Sequence, residues 1–159
     1  MKILIVDDEP DMVSSLARIL MARGFEVESA CDGKEAVTKN LDWAPDAVIM
    51  DVRMPRLNGI DACLEVQRAR SGVLVILMTG FSDALDEANE SIFAEAGRNG
   101  RVEVMMKPLD LDRVLSLLHP DESRPRSQFA EDSVIGWLET VESRSEHPGN
   151  GIRPSIRPE

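Results

Sequence analysis

Five polar residues stand at the ends of apolar runs, and they carry the chemistry this sequence offers. Asp7 and Asp8 close the run 3–6, Asp51 closes 47–50, Thr79 follows 73–78 and Lys107 follows 102–106. Three carboxylates brought together repel one another, and at least one is driven toward protonation. A hard divalent cation removes that conflict. Oxygen-only ligands that leave room for water favour magnesium over zinc, with no Cys or His nearby in the pattern. Lys107 adds positive charge from the opposite side. One carboxylate flanked by a cation and an ammonium suits a phosphoryl group. The cations neutralise charge on its oxygens, and Asp51 is placed to attack in line.

Those residues converge only if particular elements position them. Residues 3–6 are apolar and of strand length, and Pro10 suits the first turn of a helix. Met12, Val13, Leu16, Ile19 and Leu20 then recur at helical spacing up to Gly24. Residues 25–29 alternate as a strand near a sheet edge does. Asp32-Gly33 opens a second helix, ended by Pro45. The apolar run reaching Asp51 reads as a strand buried on both faces. A third helix carries Ile60 and Leu64, 73–78 is a second fully apolar strand, and Ser82 caps a fourth helix to about Gly97. Residues 102–106 form a fifth strand, and Asp110 caps a fifth helix. Five strands alternating with five helices predict a doubly wound α/β fold, a parallel sheet with helices on both faces. The first, third and fourth strands should be central. In such sheets ligands bind beyond the carboxyl ends of the strands.

Paired acids after the first strand, Asp51-Val-Arg-Met-Pro with Asn58-Gly59 behind it, Thr79-Gly80 and Lys107-Pro108 together resemble the receiver domain of two-component response regulators, over residues 1–119. The resemblance implies strand order 2-1-3-4-5. It implies that Asp51 accepts phosphate from a phosphohistidine on a sensor histidine kinase or a histidine phosphotransfer protein. Asp8 would ligate Mg2+ directly and Asp7 through water, with Asp51 itself and the backbone carbonyl of Arg53 completing the protein's metal ligands. Lys107 would pair with a phosphoryl oxygen, and Thr79 would move to hydrogen-bond the phosphoryl group. Lys107-Pro108 would be a cis peptide. Two features depart from the family. Val104 occupies the position where an aromatic residue usually follows the threonine. The 28 positions from Thr79 to Lys107 exceed the usual spacing, with the surplus around Gly97 to Gly100.

Competing readings are weighed on the same residues. Asp7, Asp8 and Glu9 alone would be an acidic helix start favoured by the dipole. A phosphohydrolase of the haloacid dehalogenase type needs a second Asp two positions after the first, and Arg53 stands there. A degenerate receiver acting as a phosphorylation-independent interaction module is opposed by the intact Asp7, Asp8, Asp51, Thr79 and Lys107 set. The protein is thus expected to be no metabolic enzyme, only to phosphorylate and slowly dephosphorylate itself.

Composition bounds the rest. A formal net charge of -11 predicts no direct nucleic-acid binding, because phosphates call for a basic patch. Cys31 and Cys63 show no ligand spacing and read as free thiols in a reducing compartment. The first apolar run is too short for a signal-peptide core, and nothing approaches the roughly 18–20 apolar residues of a membrane span. A cytoplasmic protein without a membrane partner is expected. Residues 120–129 read as a linker. Residues 130–143 read as an amphipathic helix with Val134, Trp137, Leu138 and Val141 in a stripe, and 144–159 as a disordered tail. The output partner is not legible, and a homodimer stays open.

Overall fold

The computed structural model describes residues 1–80 and 101–119. Within them the elements run β1 (Lys2–Val6), α1 (Pro10–Met21), β2 (Glu26–Ala30), α2 (Gly33–Asp42), β3 (Ala47–Asp51), α3 (Gly59–Ala69), β4 (Leu74–Thr79), β5 (Arg101–Met106) and α4 (Leu111–Leu118). The strands form one five-stranded parallel sheet in the order β2-β1-β3-β4-β5, as expected. The helix expected over 82–97, the surplus around Gly97 to Gly100, the linker 120–129, the helix 130–143 and the tail 144–159 lie outside the described residues.

Each strand is what its neighbours require. β3 and β4 are buried along their whole length, so both faces must be apolar, and the sequences AVIM and LVILM supply this. β2 lies at an edge and is the more exposed strand, with only Ala30 buried. Successive side chains point to opposite faces. Ile3, Ile5, Ile49, Ile76 and Met105 therefore join Leu16 and Leu20 of α1 and Val114 and Leu118 of α4 in one core. Leu4, Val6, Val48, Met50, Leu77 and Val104 join Ala36 of α2 and Ile60, Cys63 and Val66 of α3 in the other. Fully burying one such Val, Leu or Ile side chain is worth about 1.5–3 kcal/mol.

The helices start where side chains can satisfy their first amides. Asp32 caps α2 by accepting from Glu35 N, Asn58 caps α3 by accepting from Asp61 N, and Asp110 caps α4 by accepting from Arg113 N. α1 begins with Pro10, which has no N–H to satisfy, and Glu9 makes no side-chain cap.

Candidate functional site

The parallel ladder brings the polar strand ends to one rim. Val6 pairs with Met50, Asp51 with Met78, and Thr79 with Met106. The ladder continues one step further: Asp7 N donates to Ala30 O at 3.2 Å, Val52 N to Met78 O at 2.9 Å and Lys107 N to Thr79 O at 2.8 Å. Asp7, Asp8 and Asp51 gather there, with one carboxylate oxygen from each lying within 4.8 Å of the others. Asp7 and Asp51 are buried and Asp8 is exposed. Lys107 Nζ donates to Asp51 Oδ1 at 2.8 Å and to Asp7 Oδ2 at 3.5 Å. Asp7 Oδ1 accepts from Glu9 N at 2.9 Å, which fixes the turn into α1. The Lys107–Pro108 peptide bond is cis.

The backbone under Asp51 is held from α3. Gly59 N donates to Val52 O at 2.9 Å. A Cβ on Gly59 would lie 2.0 Å from Asp51 O, so only glycine lets the helix start this close to the strand end. Asn58-Gly59 is thus a cap followed by a close approach.

Electrostatics at the rim are unbalanced. Within the cluster formed by the described residues Asp7, Asp8, Asp51 and Lys107, three carboxylates face one ammonium, two negative charges in excess. Burial pushes the Asp51 carboxyl above its ordinary range, the Lys107 contact opposes this, and Asp7 and Asp8 add to the rise. Burial alone would lower Lys107, but its pairing with Asp51, and then with Asp7, holds the ammonium above its ordinary value. A single hard divalent cation among these oxygens would cancel the excess charge, and the donor set, oxygen only and partly open at Asp8, fits such an ion.

Of the residues singled out in the sequence, Asp7, Asp8, Asp51 and Lys107 come together. Thr79 ends β4, fully buried, and its hydroxyl donates to Gly80 O at 3.1 Å instead of turning to Asp51. By alternation it shares the sheet face of Val104, which is buried among apolar side chains of the α2/α3 core. Arg53 lies two residues past Asp51 in the loop, with its side chain exposed. Sequence reasoning missed Arg56. It is one of two residues other than glycine with positive φ among those described, at 71°, and its Nη1 lies 2.6 Å from Asp32 Oδ2. No sequence signal marks it, because Arg in a loop ordinarily has ordinary φ.

A strand-end acid cluster gripped by a lysine, on an open parallel sheet, defines a cation-ready site for an anionic group. Comparison with known proteins gives that class a family. Residues 3–119 match the family model of the response regulator receiver domain. The chain is 35% identical over 130 residues to the DNA-binding response regulator MtrA of Mycolicibacterium smegmatis, a match covering 81% of this chain and 55% of MtrA. It is 29% identical to the alkaline phosphatase synthesis transcriptional regulatory protein PhoP of Bacillus subtilis, covering 86% of this chain and 57% of PhoP. Among solved structures, the response regulator TrrA of Thermotoga maritima, in complex with Mg2+ and BeF, superposes with a TM-score of 0.61 at 26% identity, covering 74% of this chain and 95% of TrrA. The chain belongs to the response regulator receiver family of two-component systems.

The chain spans about half the length of the curated relatives it matches. The expectation of no direct nucleic-acid binding is corrected here. It rested on a charge of -11 over the whole sequence, yet MtrA is a DNA-binding response regulator. DNA contact depends on a local basic surface, and an average over an acidic chain carries no information about one. Among the described residues no helix is long and apolar enough to cross a membrane.

Proposed function

We propose that this receiver is a phosphorylatable switch in which Asp51 takes a phosphoryl group from a phosphohistidine on a sensor kinase or phosphotransfer protein. The observation that carries the reading is the convergence of Asp7, Asp8 and Asp51 within 4.8 Å, with Lys107 Nζ 2.8 Å from Asp51 Oδ1. Asp7, Asp8 and Asp51, with the backbone oxygen of Arg53, would hold Mg2+. The ion, when bound, supplies positive charge that shields the phosphoryl oxygens. Asp51 is the nucleophile: a carboxylate oxygen forms the O–P bond as the P–N bond to the donor imidazole breaks, and the imidazole leaves with the bond's electron pair. Lys107 orients the carboxylate before transfer and then pairs with a phosphoryl oxygen. Thr79 would exchange the Gly80 carbonyl for the phosphoryl group as its acceptor. The protein acts on its own side chain and turns over no separate substrate. The named activity of MtrA supports DNA as the target of the output in the whole protein.

The test is direct. Incubation with acetyl phosphate and Mg2+ should add one phosphoryl group per chain by intact-mass measurement, and Asp51→Asn should abolish the gain. No mass gain and no Mg2+ binding by the wild-type protein would overturn the reading in favour of a phosphorylation-independent interaction module.

A further inference from the structure

The loop from Val52 to Asn58 leaves the site directly from Asp51, and it is gripped at both ends. At its far end Gly59 N donates to Val52 O, against the backbone of Asp51. In its middle, Leu57 N donates to Pro55 O at 3.0 Å across Arg56, which sits at φ 71°. A three-residue turn around a left-handed residue other than glycine is strained and persists only where the surroundings over-determine it. The surroundings here are the start of α2. Arg56 Nη1 lies 2.6 Å from Asp32 Oδ2, and Asp32 is 3% exposed. The same carboxylate caps α2, with Oδ1 accepting from Glu35 N at 2.9 Å. Gly33 follows, and a Cβ there would lie 2.5 Å from Leu57 O. The loop is therefore seated on the backbone of α2, with a buried carboxylate as its anchor.

We propose that Arg56 is a positioning residue of the Asp51 site: its grip on Asp32 holds the loop in its strained turn and so fixes the backbone oxygens beside Asp51 for a divalent cation. The proposal rests on the phosphoryl-acceptor reading and deepens it. Arg56 touches neither the cation nor the phosphoryl group. It acts through the loop, as residues that orient metal ligands do, where loss commonly costs ten-fold or more in metal affinity.

The experiment uses the full chain without metal and then titrated with Mg2+. Two readouts are followed: the amide shifts around Asp51, which give the Mg2+ Kd, and hydrogen exchange of the Leu57 and Gly59 amides before metal is added. Arg56→Ala should weaken Mg2+ binding about ten-fold and speed exchange at both amides. Arg56→Lys should restore most of the affinity. Asp32→Asn keeps a good helix cap but removes the charge, so it should match Arg56→Ala, and the two losses together should not add. Arg56→Gly relieves the left-handed strain; it should fold as well as wild type and still lose Mg2+ affinity. Unchanged Mg2+ affinity in Arg56→Gly and Asp32→Asn, with wild type binding normally, overturns the positioning role and leaves the acceptor reading standing. Faster exchange with unchanged affinity does the same, since the grip is then purely structural. A wild-type protein that binds no Mg2+ overturns both.

Discussion

The two faces of the sheet are built by different rules. On the α1/α4 face, Leu16, Leu20, Val114 and Leu118 pack on Ile3, Ile5, Ile49 and Ile76, and contact is apolar side chain against apolar side chain. That face also keeps an open groove of about 350 Å3 between Met12 and Ile19 of α1 and Pro108 and Leu111 near α4. On the α2/α3 face, helices approach so closely that backbone meets backbone. Gly59 lies against Asp51 O, and Gly33 against Leu57 O. Polar groups are trapped there too: Asn40 Oδ1 and Gln67 Oε1 are buried with no hydrogen-bond partner among the described residues. A face held by side chains can absorb a deletion locally. A face held by backbone contact transmits any added atom straight to the strand end, where Asp51 sits.

The largest effect expected from that contrast is at Gly59. Gly59→Ala places a Cβ 2.0 Å from Asp51 O, and the strand end or the helix must move. A loss of about 4 kcal/mol or more is expected in urea unfolding, together with impaired phosphoryl uptake. A loss below about 1 kcal/mol would show the two faces to be equally compliant. Next comes Leu20→Ala on the opposite face, where Leu20 is fully buried. It should lower stability by about 3 kcal/mol through cavity formation, yet leave the Mg2+ affinity of the folded protein unchanged. A matching fall in affinity would erase the distinction.

A test read against pH, about 1.4 kcal/mol per unit, asks how dry the α2/α3 face is. Burial pushes the Cys63 thiol from 9.0 up to about 12. The folded state then keeps its proton where the unfolded chain has lost it. The sign is that stability falls as pH rises from about 9 to about 12, by about 1.4 kcal/mol per pH unit from this one group. Cys63→Ala should flatten the alkaline slope by that amount; an unchanged slope would mean water reaches the thiol. The smallest effect is at Asn40. Among the described residues its Nδ2 makes one long bond, 3.4 Å to Val66 O, and its Oδ1 makes none. Asn40→Leu should change stability by no more than about 1 kcal/mol, and a larger loss would reveal a polar network that the face depends on.

Most of the sheet was legible in the sequence. Strands buried on both faces had to be apolar, so 3–6, 47–50 and 73–78 marked β1, β3 and β4, and helical spacing marked α1. Boundaries moved by a residue: β4 takes in Thr79 as its last residue, and β5 begins at Arg101. Of the candidate site, the acids and Lys107 were legible because a polar residue ending a buried strand must emerge at the rim. Arg56 and its partner were not, since neither a left-handed Arg nor a contact across 24 positions leaves a pattern in composition or spacing. The charge of the whole chain misled on nucleic acid because it averages over surfaces that act separately.

The kind of chemistry is written in the chain: carboxylates and one lysine at strand ends, on a parallel sheet, in the order a receiver requires. Burial forces that arrangement, since these runs are stable only inside and their polar ends only at the edge. What the tertiary structure alone decided is which groups meet. Lys107 reaches Asp51 at 2.8 Å and Asp7 at 3.5 Å, Thr79 faces the Gly80 carbonyl, and Arg56 closes on Asp32. Those distances depend on strand register and loop path, and both are set by how closely the helices pack on the sheet.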